Sequence, residues 1–196
     1  MPKSELRREL LAARRRWQPG LLRAYSAGVC ERVLALDAFR AAGHLVAYAA
    51  RNDEIDPSSL VRVARTTGKT VYFPRVVDST LEFLSAVPED LQPGAHGVLE
   101  PSSGKPLDPS LPDVLFLVPG VAFDPAGLRL GRGGGHYDRA LARHPHGLRV
   151  GLAAESQILP ALPEDGWDQR VDAVVTEGRL LWSIASPRID LKENLT

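Results

Sequence analysis

The sequence predicts an α/β fold: a single-domain, three-layer α/β/α arrangement around a parallel-rich mixed sheet. Three observations carry this expectation. Short apolar runs of strand length alternate with helical patterns, as βαβ units require. One of these runs, Val114 to Val118, leads through a glycine-rich loop straight into a helical pattern. The length, 196 residues, suits one domain over 1–196 that can bury its own core.

The elements follow in order. Ser4 to Trp17 is a helix, because Leu6, Leu10, Ala13 and Trp17 share one stripe at about 100° per residue. Lys3, Arg7 and Arg14 fall along one edge of that stripe, whereas Arg8, Arg15 and Arg16 point to the far, solvated side. Leu21 to Phe39 forms a second helix after Pro19-Gly20, and Leu45 to Ala49 a short buried strand. Asp56-Pro57 opens a helix through Arg65, with aspartate as cap and proline in the first turn. Val71 to Phe73 is a strand ended by Pro74, and Leu81 to Val87 another. Pro88 to Pro112, rich in Pro, Gly and Ser, makes a long excursion of the kind that often carries function. Val114 to Val118, Arg149 to Ala153, Ala173 to Thr176 and Leu180 to Ile184 supply the remaining strands.

Composition narrows the function classes. Charges balance at 24 basic and 24 acidic residues, so no global field favours nucleic acid or an anionic membrane, and anion binding must be local. Three tryptophans and four tyrosines without a stacking pattern argue against RNA. The single cysteine, Cys30, suits a reducing compartment and reads as an inert small apolar residue. No leader-like or membrane-length apolar segment is visible, so a cytoplasmic location is expected; separately, a monomer is expected. His44, His96, His136, His144 and His146 lack the spacing of a metal site, and no nucleophile-elbow motif occurs.

The most informative stretch is Leu130-Gly131-Arg132-Gly133-Gly134-Gly135-His136-Tyr137-Asp138-Arg139. Strand, glycine loop and helix bring the backbone close to phosphate, because glycine removes the Cβ and the first N–H groups of the helix face the anion. Arg129 and Arg132 add full positive charges. The run is no Walker A loop, lacking Gly-Lys-Ser/Thr, and only approximates the dinucleotide fingerprint. Asp138 beside this cradle has two readings: it complements the helix N-terminus, or it holds a hard cation such as Mg²⁺ against phosphate. Glu54 reads either as a solvated loop acid or as an acceptor for ring N–H groups. Glu54, Arg75 and the glycine loop each follow a strand, so all three can face one crevice at the strands' carboxyl ends.

This chain resembles the 5-formyltetrahydrofolate cyclo-ligase family, also called 5,10-methenyltetrahydrofolate synthetases. The loop looks like the family signature R-L-G-x-G-x-G-Y-Y-D, with His136 in place of the first tyrosine. Further matches in the family's order are Lys3-x-x-Leu6-Arg7, Asp53-Glu54-Ile55-Asp56, Phe73-Pro74-Arg75, Gly97-Val98-Leu99-Glu100-Pro101 and Val171-Asp172. The resemblance implies ATP- and Mg²⁺-dependent ring closure of 5-formyltetrahydrofolate to 5,10-methenyltetrahydrofolate. It implies nucleotide contacts at Lys3, Arg7, Arg129, Leu130, Gly131, Arg132, Gly133, Gly134, Gly135, His136 and Tyr137. Folate contacts are implied at Glu54, Arg75, Arg132, Gly133, Gly134, Gly135 and His136, a catalytic role for Arg132, and magnesium aspartates at Asp138 and Asp172. Two other readings are a sugar-phosphate isomerase-like enzyme of similar fold, which needs a carboxylate or lysine base and no ATP, and a non-catalytic nucleotide- or RNA-binding module.

Overall fold

The computed structural model describes residues 1–94 and 97–184; His96 lies outside them. The chain runs α1 (Lys3–Arg14), α2 (Pro19–Ala35), α3 (Asp37–Ala41), β1 (His44–Val46), α4 (Ser58–Thr66), β2 (Thr70–Val77) and β3 (Thr80–Ser85). The excursion holds β4 (Leu91–Pro93) and β5 (Leu99–Pro101), paired antiparallel as a hairpin. Then come β6 (Val114–Pro119), β7 (Ala122–Phe123), β8 (Arg129–Leu130), α5 (His136–Ala142), β9 (Leu148–Leu152), β10 (Ala173–Val175) and β11 (Leu180–Trp182).

Seven strands form the main sheet in the order β11-β10-β9-β6-β1-β2-β3. All pairings from β10 to β2 are parallel, and the two edges, β11 and β3, are antiparallel. The central strand β6 is apolar throughout, and its neighbours β1 and β9 are apolar apart from His44 and Arg149, because both faces are covered. Leu45, Leu115, Leu117 and Val150 pack with Val29 and Val33 of α2 and Leu60 and Ala64 of α4. Val46, Phe116, Val118 and Val174 face the other way and pack with Ala140 and Leu141 of α5. A third cluster joins Leu6, Leu10 and Leu11 of α1 to Val121, Ala122, Leu128 and Leu130 of the β7–β8 hairpin. The expected three layers and parallel-rich mixed sheet are therefore present.

Several boundaries differ for identifiable reasons. The helix expected over 21–39 is broken at Leu36, which is extended and buried in the core between α2 and α3. Asp56 does not cap α4 as the first flanking residue; Pro57 does, while Asp56 Oδ1 accepts the Ser58 N–H at 2.9 Å. Strand β2 does not stop at Pro74. Its pairing with β1 ends at Tyr72, so the missing proline N–H leaves no gap in that ladder, and Pro74 pairs onward with Phe83 of β3. The apolar run after Val118 turns at Pro119-Gly120 and re-forms as β7.

Strand order fixes where a ligand belongs. From β1 the chain moves to β2 on one side and later returns to β6 on the other. The carboxyl ends of β1 and β6 therefore diverge into a crevice, the position where open α/β sheets bind ligands. Leu117 lies at the centre of this frame and is fully buried. Leu117→Ala is expected to lower the unfolding free energy by about 2–5 kcal/mol, whereas Leu21→Ala, at an exposed position, should leave the urea midpoint nearly unchanged.

Candidate active site

The crevice opens into a cavity of about 750 Å³, within the range that takes a drug-sized ligand or larger. Tyr48, Ala49, Arg51 and Glu54 enter it after β1, and Pro119, Gly120 and Val121 after β6. Residues Arg129 to Asp138 form one wall, and Lys3 and Arg7 of α1 reach in from the side. The turn after β6 is pinned: the Gly120 carbonyl accepts from Arg14 Nη1 at 2.9 Å and from Gln157 Nε2 at 3.0 Å.

The glycine loop is held at both ends. Arg129 precedes it on β8 and Asp138 follows it on α5, and Arg129 Nη2 lies 3.0 and 3.1 Å from the two carboxylate oxygens of Asp138. The Arg129 side chain is nearly inaccessible at 4% exposure, so this pair lies in low dielectric and tolerates loss of one partner poorly. The guanidinium also sits 5.3 Å from the centre of the Tyr137 ring. Burial, with the Glu54 charge adding to it, pushes the Tyr137 phenol far up; its hydroxyl is buried without a hydrogen-bond partner among the described residues. Between the anchors, Gly133 and Gly135 have φ of +107° and +64°, left-handed conformations that glycine adopts without the Cβ penalty other residues meet. At Gly134 a Cβ would lie 2.8 Å from His136 Cε1, so glycine there makes room for the imidazole, which lines the cavity.

Five basic side chains, Lys3, Arg7, Arg51, Arg129 and Arg132, meet five carboxylates, Glu54, Glu100, Asp138, Asp165 and Asp168, on the cavity wall. Lys3 Nζ donates to Asp165 at 2.8 Å and to Asp168. Burial alone lowers the Lys3 pKa, but hydrogen bonds to the two aspartates and their charges outweigh it and leave the ammonium stabilised. Arg132 Nε donates to Glu54 at 3.0 Å and its Nη2 to Asp53 at 2.6 Å. Arg7 Nε donates to the Gly131 carbonyl at 2.7 Å, placing its guanidinium against Gly133. Arg14, the third member of the edge read from helical phasing, is buried and paired with Asp53, while Arg15 and Arg16 are exposed.

Two expected site residues are not brought together with the rest. Arg75 does not line the cavity. Because β2 continues through Pro74, alternation puts Pro74 and Val76 on the cavity side and turns Arg75 to Glu82 and the Ser102 carbonyl. Asp172, expected as a metal ligand beside Asp138, is also absent from the wall. It is 4% exposed, and its Oδ2 accepts the Arg149 N–H at 2.8 Å, tying β9 to the start of β10. Conversely, Tyr48, Glu100 and the turn Asp165 to Asp168 line the cavity without having been singled out as site residues. Glu100 stands in the Gly97–Pro101 motif, but its partner Val76 is distant in sequence, so local pattern gave it no role.

A cation site is judged by its donor set. No group of three or more metal-type side chains occurs among the described residues. Asp138 alone fits as a ligand next to the glycine loop. Oδ1 takes bonds from Arg129 and the Gln169 N–H, whereas Oδ2 takes Arg129 alone, so an acceptor site remains there for a hard cation that brings its other oxygens from phosphate and water.

A model of the 5-formyltetrahydrofolate cyclo-ligase family matches residues 1–177. A probable 5-formyltetrahydrofolate cyclo-ligase of Schizosaccharomyces pombe is 28% identical, over 94% of this chain and 99% of that protein. The Escherichia coli K12 5-formyltetrahydrofolate cyclo-ligase is 36% identical, over 70% of this chain and 80% of that protein. The NMR structure of Aquifex aeolicus 5,10-methenyltetrahydrofolate synthetase superposes with a TM-score of 0.80 at 34% identity, covering 95% of each chain.

The Arg129–Asp138 pair makes a specific energetic prediction. Asp138→Leu should cost about 3–5 kcal/mol of stability by stranding the buried guanidinium, and the double variant Arg129→Met/Asp138→Leu should cost clearly less. Urea unfolding of the singles and the double reads this; equal losses in single and double variants would show that the pair does not hold the loop.

Proposed function

The chain belongs to the 5-formyltetrahydrofolate cyclo-ligase family, a family of ligases, and we propose that it closes the ring of 5-formyltetrahydrofolate to 5,10-methenyltetrahydrofolate at the expense of ATP and with Mg²⁺. The observation that carries this reading is the juxtaposition of a pinned glycine loop, cationic side chains from α1 and β8, and a cavity of about 750 Å³ at the sheet's switch point.

The formyl group on nitrogen 5 is an amide and weakly electrophilic. Its oxygen attacks the γ-phosphorus of ATP, the bond to the β-phosphate oxygen breaks, and ADP leaves. Nitrogen 10 then adds to the activated formyl carbon and loses its proton, inorganic phosphate departs with the former formyl oxygen, and the methenyl cation remains. No covalent bond to the protein is needed, so the protein's task is to position two substrates and balance phosphoryl charge.

The residues present suit that task. Backbone N–H groups from Gly131 to Tyr137 receive phosphate oxygens, and glycine keeps that approach free of side chains. Arg132 has donors left after its bonds to Glu54 and Asp53, and these serve the transferring phosphoryl group. Lys3 and Arg7 supply charge from the side. Glu54, already fixed by Arg132 and by the Arg51 N–H at 3.1 Å, presents its remaining lone pairs to the folate, with His136 bordering it. Asp138 is the residue that would hold Mg²⁺, and the ion would supply neutralisation of phosphoryl charge. A lysine-based isomerase reading is disfavoured, because Lys3, the one lysine on the cavity wall among the described residues, is held protonated by two aspartates.

Protein mixed with 5-formyltetrahydrofolate, ATP and Mg²⁺ should generate methenyl-folate absorbance with matching ADP release, and chelation should abolish both. Absence of product from folded protein would overturn the assignment. Arg7→Ala should weaken ATP binding by about 1–3 kcal/mol, the range of a charge-assisted hydrogen bond, while Arg15→Ala on the far face of α1 should leave it unchanged. Equal effects from the two would show that the edge of α1 does not face the nucleotide.

A further inference from the structure

Four of the five carboxylates on the cavity wall already hold a cation. Asp138 is paired with Arg129, Glu54 with Arg132, and Asp165 and Asp168 with Lys3. Glu100 is the exception: it is 9% exposed, lines the cavity, and has no cationic partner among the described residues. Its hydrogen bond there is the Val76 N–H donated to Oε2 at 3.1 Å. The carboxylate fills the space beside Gly94, where a Cβ would lie 2.5 Å from Glu100 Cδ, so the β4–β5 hairpin is shaped around it. Nearby wall residues are apolar: Pro74 and Val76 of β2, Leu81 of β3, and Val98 just before β5.

A carboxylate withdrawn from water and facing an apolar wall needs hydrogen-bond donors. A polyphosphate repels it. Adenine offers one amino group, flanked by a ring nitrogen that is itself an acceptor. The reduced pterin of a folate has flat apolar faces and carries a ring N–H and an exocyclic amino group side by side on one edge. That edge presents two parallel donors, as a guanidinium does to a carboxylate.

We propose that Glu100 accepts these two donors and thereby fixes the end of the cavity in which the folate head lies. The assignment rests on the folate reading of the cavity and adds a residue for substrate recognition, distinct from Glu54, whose oxygens are shared with Arg132 and the Arg51 N–H.

Calorimetric titration of the full-length wild type and Glu100→Gln tests this, using 5-formyltetrahydrofolate without ATP, its 2-desamino analogue, and ADP. Glutamine keeps the side-chain volume and an oxygen for the Val76 N–H, so ADP binding serves as the check on folding. Folate affinity should fall by about 10- to 100-fold, the effect of hydrogen bonds to a charged group, with ADP affinity within about twofold. The desamino analogue should bind wild type much more weakly than the parent, and Glu100→Gln with little further loss. Unchanged folate affinity overturns the proposal, as does parallel loss of folate and ADP binding or a full analogue penalty in both proteins. Wild type that binds ADP but not 5-formyltetrahydrofolate overturns the functional reading and this assignment with it, whereas folate-binding wild type with an unaffected variant overturns Glu100 alone.

Discussion

The ion pair between Arg129 and Asp138 is the constraint on which the site depends. Between them lies a loop with glycine at 131, 133, 134 and 135, which has almost no side chains with which to hold itself. Glycine also loses more conformational freedom on ordering than any other residue. A loop suited to approach phosphate is therefore the loop least able to keep its own shape. The pair closes it across its base, the Tyr137 ring lies against the same guanidinium, and α1 seals it through Arg7 and the Gly131 carbonyl. Asp138 thus complements a buried cation before it meets any ligand, a role distinct from both the helix-terminus and the metal readings of the sequence.

A second consequence is that the cavity is balanced in charge. Lys3 and Arg132 contact carboxylates in the free protein, in keeping with a chain of zero net charge. On the proposed function, an incoming polyphosphate would exchange partners with these acids instead of meeting bare cations. Such exchange suits selectivity more than raw affinity, because each cation gives up one favourable contact to gain another. Glu100 stands outside this exchange, and its end of the cavity is apolar. The two ends are therefore chemically different, as two unlike substrates require.

Much of this was legible from sequence where the signal is local. The loop announced itself by glycine density after an apolar run, and helical phasing separated Lys3, Arg7 and Arg14 from Arg15 and Arg16. The central parallel strands were visible as apolar runs. What could not be read arises from contacts distant in the chain. Arg75 was placed in the crevice because Pro74 looked like a strand end; only the early end of β1 pairing explains why β2 passes through it and turns Arg75 away. Asp172 carries a family position, but its carboxylate is engaged with a backbone N–H of β9. The two-residue strands β7 and β8 are too short for any periodicity to show. The Lys3 contacts to Asp165 and Asp168 span nearly the whole chain, and no local rule anticipates them.

The account is tested most directly by following backbone amide resonances while ADP with Mg²⁺ is added to the ligand-free protein. The preformed loop should respond first and most, with the largest shifts at residues 131–137 and at Arg7, and little change at Val98 to Glu100. Shifts concentrated on the β4–β5 hairpin, with the glycine loop unmoved, would contradict the claim that the clipped loop is where phosphate binds.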